Sequence, residues 1–330
     1  MRRREFIMLL GGVAAAWPVA ARAQQAAPSH VPSIGFLSSR APNTEAHLVA
    51  PFLQGLKDQG YVEGQNVTVE YSWAEGRYEQ LPALAADLVR RQVAVLVTAG
   101  GAQAAQAAKA ATASIPIVFA TGDDPVKLGL VASLHRPGGN ATGVAVFVTS
   151  LLPKRLQLLR ELIPTASTIA LLMNPAGPAA DTQLVEVQDA ARTLGVRLDV
   201  VNSSTAGEID QAFSVLVQRR PDALMLGADP FFQVRRDQLV ALAARHAIPT
   251  MYEWREFVDA GGLISYSSRR SDTMHQMGVY AGRILQGAKP SELPVVQAVK
   301  FELVINLKTA KALGLTFPIT LLGRADEVIE

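Results

Sequence analysis

The sequence predicts an α/β fold made of two doubly wound, Rossmann-like lobes joined by a multi-strand hinge. Length is the first observation, because 330 residues exceed the needs of one small core and suit two lobes. The second is a βαβ pattern at 93–125, where two short apolar runs flank an alanine-rich helix. The third is that the alternation of strands and helices restarts after Pro164, which ends a helix.

The first lobe is predicted from apolar runs that alternate with helical patterns. The predicted strands cover 33–38, 67–73, 93–97, 115–119 and 142–148. The predicted helices cover 44–59, 81–91, 102–112 and 151–162. Asn43 or Thr44 is expected to cap the first helix and Gly60 to stop it. Gly100-Gly101 breaks the third strand, because glycine adopts backbone angles that a side chain forbids.

The second lobe follows the same pattern, and the C-terminal tail departs from it. The predicted strands are 168–173, 197–202, 223–226, 249–252 and 261–267, and the predicted helices are 182–194, 209–219 and 233–246. The helix at 273–286 has no strand of its own series, so we expect the tail to return to the first lobe and cross again as a hinge. Lobe 1 then comprises 33–164 plus about 268–300, and lobe 2 comprises 165–267 plus about 301–330.

The N-terminus has the pattern of an export signal. Arg2-Arg3-Arg4 precedes an apolar stretch at 6–16 that is too short to span a bilayer, and Ala21-Arg22-Ala23 has the A-x-A form of a cleavage site. Arg3-Arg4-Glu5-Phe6-Ile7 resembles the twin-arginine signal, with the general secretory route as the alternative. We predict a signal peptide at 1–23, cleavage after Ala23 and a flexible leader at 24–32.

The charge and the motifs exclude several classes of protein. Removal of residues 1–23 takes away four arginines and one glutamate, which leaves 27 basic and 28 acidic residues and no basic surface for nucleic acid. The chain has no cysteine, no histidine pair with metal-ligand spacing, no G-x-S-x-G elbow and no G-x-G-x-x-G loop. We therefore expect no cofactor and no metal. An exported hydrolase-type enzyme that uses the paired Asp123-Asp124 stays open as an alternative.

Candidate ligand contacts follow the carboxyl ends of the parallel strands, where ligands bind in such folds. They are Ser38, Ser39, Gly100, Gly101, Ala102, Gln103, Asp123 and Asp124 from the first lobe, and Asn174, Asp229, Tyr252 and Tyr266 from the second. A helix that opens at Ala102 offers unpaired N–H groups to a carboxylate, and the aspartates offer acceptors to an ammonium group. The tyrosines suit an apolar or aromatic side chain, whereas Trp254 is expected to pack within its lobe. The alternatives are that Gly100-Gly101 only turns the chain and that Asp124 and Asp229, which each precede a proline, only cap turns.

Several motifs carry a family resemblance. They are Gly55-x-x-x-x-Gly60-Tyr61-x-x-Gly64-x-Asn66, Ile115-Pro116-Ile117-Val118-Phe119, Asp124-Pro125-Val126-x-x-Gly129-Leu130-Val131, Pro137-Gly138-Gly139-Asn140-x-Thr142-Gly143 and Ile305-Asn306-x-x-x-Ala310-x-x-Leu313-Gly314. Together they make the mature chain resemble the extracytoplasmic solute-binding proteins of ABC transporters, in the family of the tryptophan-binding TrpX-like lipoproteins. This chain differs from the lipoproteins by lacking a signal cysteine, and it has Gly100-Gly101 where amino-acid-binding relatives have Thr-Pro or Ser-Pro.

The resemblance implies a type I periplasmic binding protein fold and a receptor function. The expected receptor is a periplasmic monomer that closes around a small organic solute, with an amino acid favoured, and delivers it to an ABC permease in the inner membrane. No nucleic-acid partner is expected. A sensor that passes the closed lobe arrangement to a signalling partner is the other reading of the same fold.

Overall fold

The computed structural model describes residues 31–177 and 179–330. The predicted signal peptide, its cleavage point after Ala23 and most of the 24–32 leader lie outside the described residues. The described residues form two α/β lobes with one mainly parallel sheet each, which confirms the predicted fold class. No helix among them combines the length and the apolar character that crossing a membrane requires.

The first lobe contains a six-stranded sheet in the order β11-β5-β4-β3-β1-β2. Its strands are β1 (Ser33–Ser38), β2 (Thr68–Trp73), β3 (Val95–Ala99), β4 (Ile117–Thr121), β5 (Ala141–Ala145) and β11 (Val296–Gln297). All neighbouring pairs are parallel, so the carboxyl ends of these strands meet at one edge. β1, β3 and β4 are buried almost throughout because helices cover both faces of the sheet.

Helices from both ends of the chain cover the first sheet. They are α1 (Pro42–Asp58), α2 (Leu81–Arg90), α3 (Ala102–Ala111) and α10 (Arg270–Leu285). α1 and α10 pack closely because glycines face each other: a Cβ at Gly55 would lie 2.0 Å from the backbone oxygen of His275. The predicted side-chain cap of α1 is absent. Pro42 opens the helix, where its missing N–H costs nothing, and the hydroxyl of Thr44 donates instead to the Ala41 carbonyl at 2.9 Å.

The second lobe contains a seven-stranded sheet in the order β13-β12-β10-β9-β8-β6-β7. Its strands are β6 (Thr168–Met173), β7 (Arg197–Asn202), β8 (Ala223–Leu226), β9 (Thr250–Tyr252), β10 (Ile264–Ser268), β12 (Phe301–Asn306) and β13 (Glu327–Ile329). Among the described strand pairs of this sheet, β10 and β12 alone are antiparallel, because β12 enters the sheet after a crossing from the first lobe.

Short and long helices pack on the second sheet. They are α4 (Leu152–Leu162), α5 (Ala180–Leu194), α6 (Ala206–Arg219), α7 (Pro230–Val234), α8 (Arg236–Arg245), α9 (Arg255–Asp259), α11 (Leu307–Ala312) and α12 (Ile319–Leu322). The single helix predicted at 233–246 is two helices that meet at Arg235. Asp229 caps the first of them by accepting a hydrogen bond from the Phe231 N–H.

The first crossing between the lobes comes earlier than the sequence analysis placed it. Leu156 and Leu159 of α4 share an apolar core with Ile169 of the second sheet, so α4 belongs to lobe 2. The chain therefore crosses at 146–151 rather than at Pro164. The apolar stripe of α4 predicts that one face is covered, but it does not say which sheet covers it. The other crossings lie at Arg269 and at 298–300, between elements that pair with different sheets.

Candidate functional site

A cavity with about 690 Å³ of atom-free space, which includes open solvent at its mouth, lies between the two lobes. Residues that follow β1, β3 and β4 form its first-lobe wall, and residues that follow β8 and β9 form its second-lobe wall. The cavity therefore stands at the strand ends, where the topology predicts a ligand.

The glycine pair after β3 brings three segments together. Gly100 and Gly101 have φ of 85° and 97°, in the left-handed region that favours glycine. A Cβ at Gly100 would lie 2.4 Å from Oγ of Ser39, whose hydroxyl donates to the Gly100 carbonyl. A Cβ at Gly101 would lie 3.0 Å from Cγ of Pro230, in the other lobe. The pair thus permits close approach both within the first lobe and across the cleft.

The N-terminus of α3 opens directly into the cavity. Its N-cap, Gly101, provides no side-chain hydrogen bond, and Ala102 and Gln103 of its first turn line the cavity. The first N–H groups of a helix have no partner within the helix, and the helix dipole gives this end a partial positive charge. This turn is suited to bind a carboxylate group of a ligand.

Asp123 provides a free acceptor at the end of the neighbouring strand, β4. Its backbone N–H donates to Oγ1 of Thr121 at 3.1 Å, which fixes the turn. Its carboxyl oxygen Oδ1 is buried and has no hydrogen-bond partner among the described residues. Burial raises the pKa of Asp123 to about 6, with the charge of Asp229 acting in the same direction and Thr149 in the opposite one. A ligand that donates hydrogen bonds and carries positive charge would stabilise the ionised carboxylate of Asp123, which burial disfavours.

Asp229 faces the cavity from the second lobe, but protein groups already occupy one of its oxygens. Oδ1 accepts hydrogen bonds from the Asn174 amide at 3.1 Å and the Phe231 N–H at 2.9 Å. It also accepts one from the Tyr78 hydroxyl, across the cleft, at 2.5 Å. Burial raises the pKa of Asp229, and these donors act in the opposite direction. The carboxylate therefore joins the lobes as well as lining the cavity.

An ion cluster spans the cleft beside the cavity. Arg270, at the start of α10, pairs with Glu45 of α1 and with Glu256 of α9, the latter at 2.9 Å. His47 reaches the same oxygen of Glu256 at 3.0 Å. Burial alone would raise the pKa of Glu256, but Arg270 and His47 hold it at about 2. Because α9 belongs to lobe 2 and the other helices to lobe 1, the cluster stabilises the closed lobe arrangement.

Another buried pair of charged groups lies where the hinge meets the second lobe. Burial raises the pKa of Glu253 to about 7, although Arg155, Arg40 and Arg270 oppose that shift. Arg155 is fully buried, and burial lowers its pKa to about 10. Its Nε donates to the Tyr266 carbonyl at 2.8 Å, and its Nη1 lies 3.4 Å from the Val148 carbonyl. Arg155 thereby links α4 to the first crossing segment.

The structure divides the predicted site residues into three groups. Those that line the cavity are Gly100, Gly101, Ala102, Gln103, Asp123 and Asp229. Ser38, Ser39 and Asn174 lie behind it as buried partners of residues in or next to the wall: Ser38 accepts from the Arg40 N–H at 3.1 Å, and Asn174 donates to Asp229. Asp124, Tyr252 and Tyr266 lie outside the cavity lining.

These last three residues are engaged elsewhere in the fold, so we withdraw them from the predicted wall. Oδ1 of Asp124 accepts from the Val126 N–H at 2.9 Å and so caps a turn. The ring of Tyr252 stacks on Phe257 at 4.9 Å, and that of Tyr266 stacks on Phe301 at 5.9 Å, both within the second lobe. Successive strand residues point to opposite faces of a sheet, and position at a strand end does not fix which face reaches the cleft.

Several cavity residues were not predicted from the sequence. They are Arg40, Glu45, Gln183, Glu253, Trp254, Arg270 and Met274. Glu253 and Trp254 come directly after Tyr252, the last residue of β9. The expectation that ligands bind at the carboxyl ends of strands applies to them as well. Arg270 and Met274 come from α10, which was expected to return to the first lobe, but no sequence signal places the start of that helix at the cleft. Within the described residues, no group of three or more His, Asp or Glu side chains could hold a metal ion.

Comparisons with known proteins agree with this architecture. A family model described as ABC transporter substrate binding protein matches residues 43–329. A curated protein named tyrosine-binding protein, from Clostridioides difficile (strain R20291), is 28% identical over 80% of this chain and 75% of its own length.

Solved structures of other proteins share this fold. A conserved domain protein from Vibrio cholerae is 26% identical, with a TM-score of 0.83 over 91% of this chain and 100% of that chain. An ABC domain from Streptococcus pneumoniae in complex with L-Trp is 26% identical, with a TM-score of 0.82 over the same shares. A ligand-free, open substrate-binding protein from Clostridium difficile is 24% identical, with a TM-score of 0.64 over 91% and 99% of the two chains.

Proposed function

The chain belongs to the family of ABC transporter substrate-binding proteins, and we propose that it captures an amino acid or a close analogue in the cleft between its lobes. In this proposal it delivers the solute to a permease in the inner membrane. Family members are extracytoplasmic binding proteins rather than enzymes as a rule, which argues against the alternative of an exported hydrolase.

One observation carries the choice of ligand. The open N-terminal turn of α3 suits a carboxylate, and the unpartnered Oδ1 of Asp123 at the end of the next strand suits an ammonium group. These two features stand on adjacent strands of one wall, as the main-chain groups of an amino acid require. The named ligands of two relatives, tyrosine and L-Trp, support the same class of solute.

The test is a titration of the mature protein with the standard L-amino acids, followed by calorimetry. Trp254 lines the cavity, so intrinsic fluorescence should report binding there. We expect a saturable change with a dissociation constant near micromolar, about −8 kcal/mol at the standard state, and no product by mass spectrometry. No change with any amino acid overturns the proposal, and turnover of the bound solute favours the hydrolase instead.

The lobe arrangement supports binding by closure. Contacts across the cleft at Tyr78–Asp229 and Arg270–Glu256 are those of a closed protein. We propose that the protein is a monomer whose lobes open to admit the ligand, because a ligand can shift an equilibrium only by binding one state better. Small-angle scattering should give a smaller radius at ligand saturation. An equal radius in both states would count against hinge closure.

We further propose export to the periplasm with cleavage after Ala23. Fractionation and N-terminal sequencing of the mature protein should give Gln24 as its first residue. Replacing Arg3 and Arg4 with lysine should retain precursor in the cytoplasm if the twin-arginine route is used. Normal export of that variant would favour the general secretory route. Whether the receptor serves a permease or a signalling partner is tested by solute uptake in a strain that lacks this protein, because a sensor leaves uptake by the membrane proteins intact.

A further inference from the structure

We propose that Arg40 and Trp254 form a polar specificity subsite that selects a side chain ending in a hydrogen-bond acceptor, namely a carboxamide or carboxylate oxygen. This inference rests on the proposed function, since it concerns the amino-acid side chain bound in the same cavity. Arg40 follows β1 in the first lobe and Trp254 follows β9 in the second. Both residues line the cavity.

Both side chains present a buried donor without an acceptor. Trp254 is 4% exposed and Arg40 is 8% exposed. Nε1 of Trp254 and Nε of Arg40 have no hydrogen-bond partner among the described residues. The ion pair between Arg40 and Glu45 uses Nη1, at 3.8 Å, and leaves Nε free. The subsite therefore has two N–H groups whose acceptor the surrounding protein does not supply.

The main-chain groups of an amino acid do not account for these donors. In the proposed binding mode, the carboxylate contacts the first turn of α3 and the ammonium group contacts Asp123. Gln103 adds a further unpartnered donor, Nε2, at the α3 side. Arg40 and Trp254 are then left for the side chain of the ligand, and only an oxygen or a similar acceptor satisfies them.

A rigid setting makes the requirement selective. The guanidinium of Arg270 lies 5.3 Å from the centroid of the Trp254 ring and also pairs with Glu45, the ionic partner of Arg40. Neither donor can therefore turn to a new partner without disturbing the ion cluster. A hydrocarbon side chain would fill the space and leave both donors buried and unpaired, whereas a carbonyl oxygen would pair them. Sites built for hydrogen bonding discriminate strongly against analogues that lack the acceptor.

The subsite also depends on closure, because its two donors come from different lobes. A ligand with a suitable acceptor contacts both lobes at once, so its side chain stabilises the closed arrangement of the lobes. A ligand without the acceptor keeps only the main-chain contacts and the apolar lining.

Calorimetry with L-glutamine, L-glutamate and L-methionine tests the proposal, since these side chains are similar in length and only the first two carry carbonyl oxygens. We expect L-glutamine or L-glutamate to bind at least tenfold more tightly than L-methionine. Trp254→Phe keeps an aromatic ring and Arg40→Lys keeps the charge, and each should reduce that preference to threefold or less. The preference is the ratio of the two affinities within one variant, so a general loss of binding does not count as loss of the subsite.

Trp73→Phe is the matched control, because Trp73 lies on β2, stacks on Tyr71 at 6.0 Å and does not line the cavity. It should leave all affinities unchanged, and thermal unfolding checks that each variant is folded. If Trp254→Phe is unfolded, Arg40→Lys carries the test. L-Methionine or L-tryptophan binding at least as tightly as L-glutamine and L-glutamate overturns the subsite and leaves the proposed function intact. Absence of binding by every amino acid overturns both.

Discussion

The hydroxyl of Tyr78 lies 2.5 Å from Oδ1 of Asp229, and this hydrogen bond joins the first lobe to the second. The same hydroxyl accepts a hydrogen bond from the Phe231 N–H at 3.0 Å. Asn174 holds the Asp229 carboxyl on its own lobe. Tyr78 therefore inserts its hydroxyl into the N-terminal cap of α7, and the closed arrangement is stabilised by protein contacts as well as by a ligand.

Tyr78→Phe should shift the protein towards its open state. A hydrogen bond to a charged group contributes about 1.5–3 kcal/mol, and its loss lowers the population of closed protein and hence the apparent affinity by about tenfold or more. Scattering should show a larger radius for the ligand-free variant, and calorimetry should show weaker binding. Tyr71→Phe is the control, because its hydroxyl lies 3.4 Å from Glu63 within the first lobe. Equal effects in both variants would contradict a role in closure.

Gly101→Ala should weaken ligand binding more than its effect on folding alone explains. The new Cβ would lie 3.0 Å from Pro230 and oppose lobe closure, in addition to the cost of a side chain at φ 97°. We expect a loss of about tenfold or more in affinity, measured by calorimetry. Gly129→Ala, at φ 69° with open space around it, also places a side chain at positive φ, although with less strain than at φ 97° and ψ −172° of Gly101, and it should keep its affinity. Loss of affinity in both would show that strain, and not closure, is responsible.

Asp123→Asn should remove ligand binding and stabilise the ligand-free protein at pH 7.5. The pKa of Asp123 is raised from 3.8 to about 6, so its contribution to stability is full below 3.8 and is lost as the pH rises through 6. Asparagine does not ionise and so avoids that loss in the free energy of unfolding, which amounts to at most about 3 kcal/mol at 1.36 kcal/mol per pKa unit. Urea unfolding should show the gain at pH 7.5 and no gain at pH 3.5. Lower stability at both values would contradict the raised pKa.

Ligand affinity of the unaltered protein should fall as the pH falls below about 6. An ammonium group binds the ionised form of Asp123, and the carboxyl of the ligand-free protein takes up a proton below its pKa of about 6. The loss of affinity should approach about tenfold per pH unit below pH 6, because each unit lowers the ionised fraction of Asp123 tenfold. Calorimetry from pH 5 to pH 8 measures it. Glu253, whose pKa is about 7, also titrates in this range, and a change in affinity centred near pH 7 rather than near pH 6 belongs to Glu253. A flat profile would contradict the role of Asp123.

The ends of many strands were predictable from the sequence alone. β1, β6, β7 and β8 begin and end at the predicted residues. A buried parallel strand is a short run of apolar residues bounded by turn signals, and this pattern is local. The same local reasoning identified the glycine turn before α3 and Asp123 after β4, because strand ends of a parallel sheet meet at one edge.

Only the tertiary structure decided which surfaces those elements face. α4 joins the second lobe, Tyr252 and Tyr266 pack away from the cavity, and α10 brings Arg270 to the cleft. The contacts that close the cleft join residues far apart in the chain: Tyr78 and Asp229 are 151 positions apart, and His47 and Glu256 are 209 positions apart. The periodicity of apolar residues indicates that one face of a helix or strand is buried, but it does not indicate which element covers that face. Pairings at such distances follow from the relative placement of two whole sheets. The sequence alone therefore placed the strand-end residues Gly100, Asp123 and Asp229 at the cavity, and only the tertiary structure added Arg40, Arg270 and Trp254.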